Sequence, residues 1–208
     1  MTEAENAQLK TGAQALGITL TDGQVQRLWR YVELLLVWNQ KISLTTVTEL
    51  QAIIDKHLLD CLAVLPLLPK EPGTRIIDAG TGAGLPSVVL SIARPDLRIT
   101  AVESVHKKVT FVRAVVRELD LEVVVEPVRL ELLAIPALFD VAVSRATFDP
   151  SEWVERATSL VRVGGVIISM LSEHQEVPAA PAGFEQRPVV GNHFGGAYRA
   201  IACYERVA

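Results

Sequence analysis

The fold of this chain is decided by the stretch Arg75-Ile-Ile-Asp-Ala-Gly-Thr-Gly-Ala-Gly-Leu-Pro86. Its first five residues form an apolar run that is typical of a buried parallel strand, with Asp78 near the end. Three glycines follow at alternate positions, and glycine permits both a sharp turn and the close approach of a ligand. Pro86 suits the first turn of a helix, which the pattern continues over 87–93. We therefore expect a strand, a glycine turn and a helix N-terminus to meet where α/β sheets bind small ligands.

The composition indicates a globular protein without a general affinity for polyanions. The chain has 208 residues, of which 50% are hydrophobic and 21% charged, so one domain with a substantial core is expected. Because the net charge is −4, an RNA site would have to be a local basic patch. Two scattered cysteines and four histidines without ligand spacing predict neither a disulfide framework nor a metal site. With no signal peptide and no membrane-spanning apolar run, we expect a cytoplasmic protein without a membrane partner.

The N-terminal third has the periodicity of helices. Helices are predicted over 4–16, from an N-cap at Thr21 to Asn39, and over 49–65. His57 lies on the apolar face of the third helix, where a packed core residue is expected more than a ligand or catalyst. Prolines at 66, 69 and 72 then interrupt the pattern. The sequence predicts a helical cap, 1–70, and an α/β body, 71–208, within one compact domain.

Strands and helices alternate in the body, which predicts a parallel sheet. Further strands are expected over 98–103, 122–126, 139–143 and 166–171, with Ser151 as a possible cap of a helix over 150–160. Segments 184–190 and 199–205 are predicted to form an antiparallel pair around a turn at 191–196. The helix over 105–119 carries four basic residues, which would form either a solvated face or a contact with a phosphate backbone.

The glycine spacing discriminates between ligands. The dinucleotide fingerprint G-x-G-x-x-G fails from Gly80 and from Gly82, which argues against an NAD-linked oxidoreductase. The spacing D-x-G-x-G-x-G instead resembles motif I of S-adenosylmethionine (AdoMet)-dependent methyltransferases. The next predicted strand ends at Glu103, and an acid in that place can accept both ribose hydroxyls of a nucleoside. The alternative is a tight βα turn beside a solvated acid.

Motifs along nearly the whole chain resemble the bacterial small-subunit ribosomal RNA guanine-N7 methyltransferases, also called the glucose-inhibited division protein B family. Besides motif I, the matching segments are Trp38-Asn39 with Leu44-Thr45 (W-N-x-x-x-N-L-T), Lys56-His57-Leu-Leu-Asp60-Cys61 (R-H-x-x-D-S), Lys107-Lys108 with Phe111 (K-r-x-x-F), Arg129-Leu-Glu131 (R-x-E) and Ser144-Arg145-Ala146 (S-R-A). Several of these are peculiar to the family, so the match is more specific than motif I alone.

The resemblance implies an α/β fold of the class I AdoMet-dependent methyltransferases, with a Rossmann-like seven-stranded sheet. It implies AdoMet as cofactor and a guanine of 16S rRNA or of the small ribosomal subunit as the methyl acceptor, and we expect a monomer. The implied cofactor-binding residues are Asp78, Gly80, Thr81, Gly82, Gly84, Leu85, Pro86, Glu103, Leu130, Glu131 and Arg145. Arg145 and Arg199 are the implied catalytic residues, whereas Phe148 and Phe194 are weaker candidates for stacking on the base.

Four positions depart from the family pattern. Ser43 replaces an asparagine, Cys61 a serine, Ser87 the last glycine of motif I and Leu171 a lysine of strand five. Changes near the site beside matching fold residues would suit a divergent member with a changed substrate. Two other functions therefore stay open: a methyltransferase with another acceptor, such as a metabolite or a different RNA, and a non-catalytic AdoMet-binding protein.

Overall fold

The computed structural model describes residues 2–133 and 138–207. The helices are α1 (Glu3–Ala15), α2 (Asp22–Asn39), α3 (Leu50–Ile53), α4 (Asp60–Leu62), α5 (Ser87–Ala93), α6 (His106–Glu118) and α7 (Pro150–Ala157). The strands are β1 (Arg75–Ala79), β2 (Arg98–Val102), β3 (Val123–Glu126), β4 (Phe139–Arg145), β5 (Val161–Ser172), β6 (Phe184–Gln186), β7 (Val190–Phe194) and β8 (Ala197–Arg206). A π-helical segment, Ile54–Leu59, joins α3 to α4, and 3-10 turns cover Leu65–Leu67 and Leu130–Leu132. No helix of the described part has the length and apolarity needed to cross a membrane.

The strands form one mixed sheet with the order β3-β2-β1-β4-β5-β8-β6, and β7 also pairs with β8. The first five positions are parallel, and β8 runs antiparallel to β5, β6 and β7. The order reverses at β1, which lies between β2 and β4. Ligands bind at such a switch point beyond the carboxyl ends of the strands, and the glycine turn follows β1 there.

The two faces of the sheet are covered differently. Helices α1 to α6 bury one face in a single large core that includes Leu28 and Leu58 of the N-terminal helices together with Ile76 and Val141 of the strands. The other face is packed chiefly by α7, through side chains such as Trp153. The N-terminal helices thus share a core with the body; the division at residue 70 remains a prediction. Tyr31 of α2 reaches the glycine turn, where its hydroxyl donates to the Ala83 carbonyl over 2.8 Å.

The third predicted helix differs from the expectation, since π-helical bonding replaces α-helical bonding over Ile54–Leu59. Periodicity alone does not separate the two, because an apolar face fits either. Single π-helical turns are rare in proteins, but a large share of those that do occur lie at functional sites. This one carries Lys56 and His57 and is followed at once by Asp60.

The C-terminal pairing was predicted only in part. Residues 184–186 do pair with β8, but 191–194 of the predicted turn belong to a separate strand, β7, that also pairs with β8. Pro188 stands between them, and proline has no N–H to donate to a ladder, so β6 and β7 follow each other along one edge of β8. The eight described strands therefore fill the seven positions of the expected sheet. The cap of α7 is Asp149, whose carboxylate accepts from the Ser151 and Glu152 amides, and not Ser151.

Candidate active site

The backbone of the glycine turn is fixed by bonds to β2. The amides of Gly80 and Thr81 both donate to the Val102 carbonyl, over 2.9 and 3.0 Å. The Gly82 amide donates to Oε2 of Glu103 over 3.0 Å, and Oε1 of the same carboxylate accepts from the Val105 amide over 2.8 Å. Glu103 is only 6% exposed. The predicted acid is therefore held rigidly beside the turn.

Asp78 lies beneath the turn and not on its open side. It is fully buried, and its Oδ2 accepts from the Ser87 amide over 3.1 Å and from the Ser87 hydroxyl. Its Oδ1 has no hydrogen-bond partner among the residues that the structure describes. Burial raises the pKa of Asp78, against the opposing effect of the bonds from Ser87. The replacement of a glycine by Ser87 thus adds a donor for the buried carboxylate and leaves the turn intact.

A cavity of about 400 Å³, here called the glycine-turn cavity, opens above the turn. Four of the predicted cofactor-binding residues line it: Gly80, Glu103, Leu130 and Glu131. Thr81, Gly82, Gly84, Leu85 and Pro86 belong to the turn and the start of the following helix and are not among the lining residues. At Gly82 the φ angle is +59°, and the atom nearest to an added Cβ would be the Gly80 carbonyl oxygen at 3.9 Å. The backbone there is consequently open to the approach of a ligand.

A second cavity, here called the arginine cavity, has a volume of about 320 Å³ and is lined by both predicted arginines, Arg145 and Arg199. Arg145 therefore lies at this cavity and not among the residues that line the glycine-turn cavity. One segment, Ala146-Thr147-Phe148, lines both cavities and forms a shared wall. Ala146 has a φ of +54°, a left-handed conformation that is unusual for a residue with a side chain.

Arg145 is the centre of a hydrogen-bond network in the arginine cavity. Its Nη1 donates to Oδ2 of Asp60 and to the Lys56 carbonyl, each over 2.9 Å, and its Nη2 lies 3.2 Å from Nδ1 of His57. Nε2 of His57 is 2.8 Å from the Thr45 hydroxyl. Burial lowers the pKa of His57 to about 4, helped by the Arg145 charge, so the ring is neutral near pH 7. Burial also raises the pKa of Asp60, which the charges of Arg145 and Arg199 oppose.

The polar segment after α2 is ordered by Asn39. Its Oδ1 accepts from the amides of Leu44 and Thr45 over 2.8 and 3.0 Å, and its Nδ2 donates to the Thr45 carbonyl over 2.9 Å. Thr45 is thereby placed against His57. Ser144 ties the end of β4 to β1 through a 2.8 Å bond to the Ala79 carbonyl. Three motifs that are distant in sequence therefore meet in one network.

The remaining residues considered in the sequence differ in whether they lie at one of the two cavities. Leu171 touches the arginine cavity but is 2% exposed and packs in the core under α7. Phe148 lines both cavities and stacks on Trp153, with ring centroids 5.8 Å apart. Phe194 is buried in the large core, so its position does not suit stacking on a base. The basic residues of α6 are mostly exposed, and Lys108 lines the glycine-turn cavity.

Sequence reasoning missed Asp60, Thr147 and Gln175 as residues of the site. The sequence did contain a reason to select Asp60, because this residue follows His57 by three positions within a motif that resembles one of the family. Thr147 and Gln175 follow strand ends in the fold, where parallel sheets place their ligand sites, but no pattern singles them out. Among the residues that the structure describes, no group of three or more His, Cys, Asp or Glu side chains is placed to hold a metal ion.

Comparison with known proteins agrees with this geometry. Residues 24–185 match the family model described as rRNA small subunit methyltransferase G. The chain is 41% identical over 180 residues to the ribosomal RNA small subunit methyltransferase G of Anaeromyxobacter sp. (strain Fw109-5), covering 85% of this chain and 82% of the relative. It is 39% identical to the enzyme of the same name from Chromobacterium violaceum, covering 85% of each.

The fold has solved relatives as well. The structure of a SAM-dependent methyltransferase from Aquifex aeolicus superimposes with a TM-score of 0.55 and 18% identity, covering 70% of this chain and 89% of that one. The predicted class I methyltransferase fold is thus confirmed, and so is the resemblance noted in the motifs. This chain belongs to the rRNA small subunit methyltransferase G family.

Proposed function

We propose that this protein is an AdoMet-dependent methyltransferase that transfers a methyl group to N7 of a guanine in 16S ribosomal RNA. The observation that carries the proposal is the adjacency of two cavities across the wall 146–148. One cavity suits a nucleoside beside the glycine turn, and the other suits a base. We further propose that the protein acts in the cytoplasm, as a monomer, on the small subunit or its RNA.

The residues of the glycine-turn cavity fit AdoMet. Its volume of about 400 Å³ lies in the range of small-ligand sites. Glu103 would accept from the ribose hydroxyls, Leu130 and Glu131 would contact the adenine, and the open backbone at Gly82 would admit the rest of the molecule. Glu103 is pre-positioned by its bonds from the turn and from Val105, so little ordering is needed on binding. When bound, AdoMet supplies an electrophilic methyl group on a sulfonium.

The arginine cavity suits an acceptor that needs no deprotonation. Guanine N7 has a lone pair and carries no proton at neutral pH, so no general base is required. The titratable groups present agree with this: Asp60 is paired with Arg145, and His57 is neutral and held at both ring nitrogens. Rate enhancement would come mainly from holding the acceptor in line with the donor. Phe148, in the shared wall, is placed to contact the base.

Two cations at the arginine cavity support an RNA substrate. The side chains of Lys56 and Arg199 line it and form no hydrogen bond or ion pair with any described residue. They are therefore available for phosphates of the RNA backbone. This local positive charge is compatible with the overall net charge of −4. The family lysine that Leu171 replaces is the one cation missing from the expected set.

A methyl-transfer assay tests the proposal. Small subunits from cells lacking this activity, deproteinised 16S rRNA and a metabolite extract are each incubated with the protein and methyl-tritiated AdoMet. Label at one guanine of the RNA, cleaved by chemistry selective for N7-methylguanine, is expected. The Glu103→Ala variant serves as the matched control against contaminating enzymes, since it should lose AdoMet binding and all labelling together.

The other outcomes discriminate between the alternatives. Label only in the metabolite extract would identify another acceptor, as the change at Leu171 suggests. AdoMet binding by calorimetry without transfer to any acceptor would indicate a non-catalytic protein. The absence of both heat and thermal shift with AdoMet would refute every function that depends on this cofactor.

A further inference from the structure

The arginine cavity contains a buried carboxylate with one oxygen still available. Asp60 is 5% exposed, and only its Oδ2 has a hydrogen bond with a described residue, the one from Arg145. Oδ1 has no hydrogen bond with a described residue, and Asp60 is one of the residues that line the arginine cavity. Oδ1 is therefore the oxygen of Asp60 that is left to accept a hydrogen bond from a molecule in the cavity.

The orientation of this carboxylate is fixed by its surroundings. The Arg145 guanidinium that holds Oδ2 also bonds to the Lys56 carbonyl and approaches His57. His57 in turn contacts Thr45, which Asn39 orders. Rotation of the Asp60 side chain would break a charge-assisted bond inside a largely buried network, which is costly. The Asp60 carboxylate is thus held in one orientation at the cavity.

We propose that Asp60 determines specificity for guanine by accepting hydrogen bonds from N1–H and the N2 amino group of the acceptor base. The proposal rests on the function proposed above and names the residue that selects the base. Guanine presents two adjacent donors on its Watson–Crick edge. An ionised carboxylate is an acceptor only, and enzymes that act on extruded bases commonly recognise this edge. Adenine has a lone pair at N1, which the carboxylate would repel.

This contact also orients the base for the reaction. N7 lies on the opposite side of guanine from N1 and the N2 amino group, so an edge bound at Asp60 directs N7 away from it. Asp60 lines only the arginine cavity, whereas residues 146–148 form the wall toward the glycine-turn cavity. Binding at Asp60 thus leaves the N7 lone pair free and turned from the carboxylate.

Substitution of the target base tests the proposal. An RNA acceptor is made with guanine or with inosine at the target position, since inosine keeps N7 and N1–H but lacks the N2 amino group. We expect kcat/KM of the wild-type protein to be about tenfold or more higher for guanine, the effect of one hydrogen bond to a charged group. Asp60→Asn should reduce this ratio to about threefold or less, with AdoMet affinity unchanged by calorimetry.

Lys56→Gln is the matched control in the same cavity. It should raise KM for both acceptors equally and keep their ratio, because a phosphate contact does not depend on the base. Equal wild-type rates on guanine and inosine would overturn the role of Asp60 while leaving the proposed function intact, and this result needs no variant. An unchanged ratio in Asp60→Asn would overturn it as well. If the wild-type protein methylates neither RNA, the proposed function fails, and the role of Asp60 with it.

Discussion

Replacement of His57 by glutamine should remove a specific part of the pH dependence of stability. In the folded protein the pKa of His57 is lowered from 6.5 to about 4, first by burial and then by the charge of Arg145. The unfolded chain binds a proton near pH 6.5, whereas the folded chain does so only near pH 4. The contribution of neutral His57 to the free energy of unfolding is therefore fully present above pH 6.5 and is lost as the pH falls from 6.5 to 4.

The size of the effect follows from the two pKa values. Over the full window, a difference of roughly 2.5 units corresponds to about 3 kcal/mol. Between about pH 7.5 and about pH 5.0, where most carboxyl groups stay ionised, the expected loss is about 2 kcal/mol. Over this change of pH, the free energy of unfolding of the wild-type protein should therefore fall by about 2 kcal/mol more than that of His57→Gln. Glutamine keeps a polar side chain that can bond to Thr45 or Arg145, so the variant should still fold.

Urea unfolding at the two pH values measures the difference directly. His106, His174 and His193 are common to both proteins and therefore do not contribute to the difference between them. NMR titration of the His57 ring in the folded wild-type protein gives an independent value, with a midpoint expected near pH 4. Parallel losses of stability in the two proteins, or a midpoint near 6.5, would show that the ring is accessible and that the network does not bury it.

Three further changes test other parts of the site. Glu103→Gln should weaken AdoMet binding about tenfold or more by calorimetry, because a charge is lost, and should also lower the urea midpoint, because an amide cannot accept from both the Gly82 and Val105 N–H groups; unchanged AdoMet affinity would contradict a binding role. Gly80→Ala should destabilise more than Gly82→Ala, since both have positive φ (about 1–2 kcal/mol) but only a Cβ at 80 would overlap Thr147; equal urea midpoints would refute this. Leu171→Lys should cost about 2 kcal/mol in urea unfolding through lost apolar burial, and no loss would show that the side chain faces solvent.

Much of the fold was predictable because its patterns are local. Apolar runs bounded by glycine or proline locate β1, β2, β4 and β5, and the alternation with helices fixes a parallel sheet. The C-terminal edge was harder to predict. There the pairing depends on which residues of β8 are already bonded to β5, and on the missing N–H of Pro188, neither of which has a periodic signature.

The glycine turn was predictable for the same reason, since positive φ at Gly80, Gly82 and Gly84 is a local requirement. The arginine cavity was not, because its members come from segments far apart in the chain. Asp60 and Arg145 are separated by 85 residues, and their contact depends on how α4 packs against the sheet. The resemblance supplied Arg145 by motif but could not indicate which cavity it lines.

The π-helical segment explains why the motif around His57 required a structure to interpret. An apolar stripe there predicts a packed helix, and His57 and Asp60 are indeed buried. Yet the Lys56 carbonyl accepts a bond from Arg145 as well, so this turn of backbone also contributes to the cavity. A residue can therefore be buried for packing and still present one atom to a ligand. In the proposed complex Asp60 does so with Oδ1, and burial would make that atom selective, because a base that fails to donate to it leaves a desolvated charge unpaired.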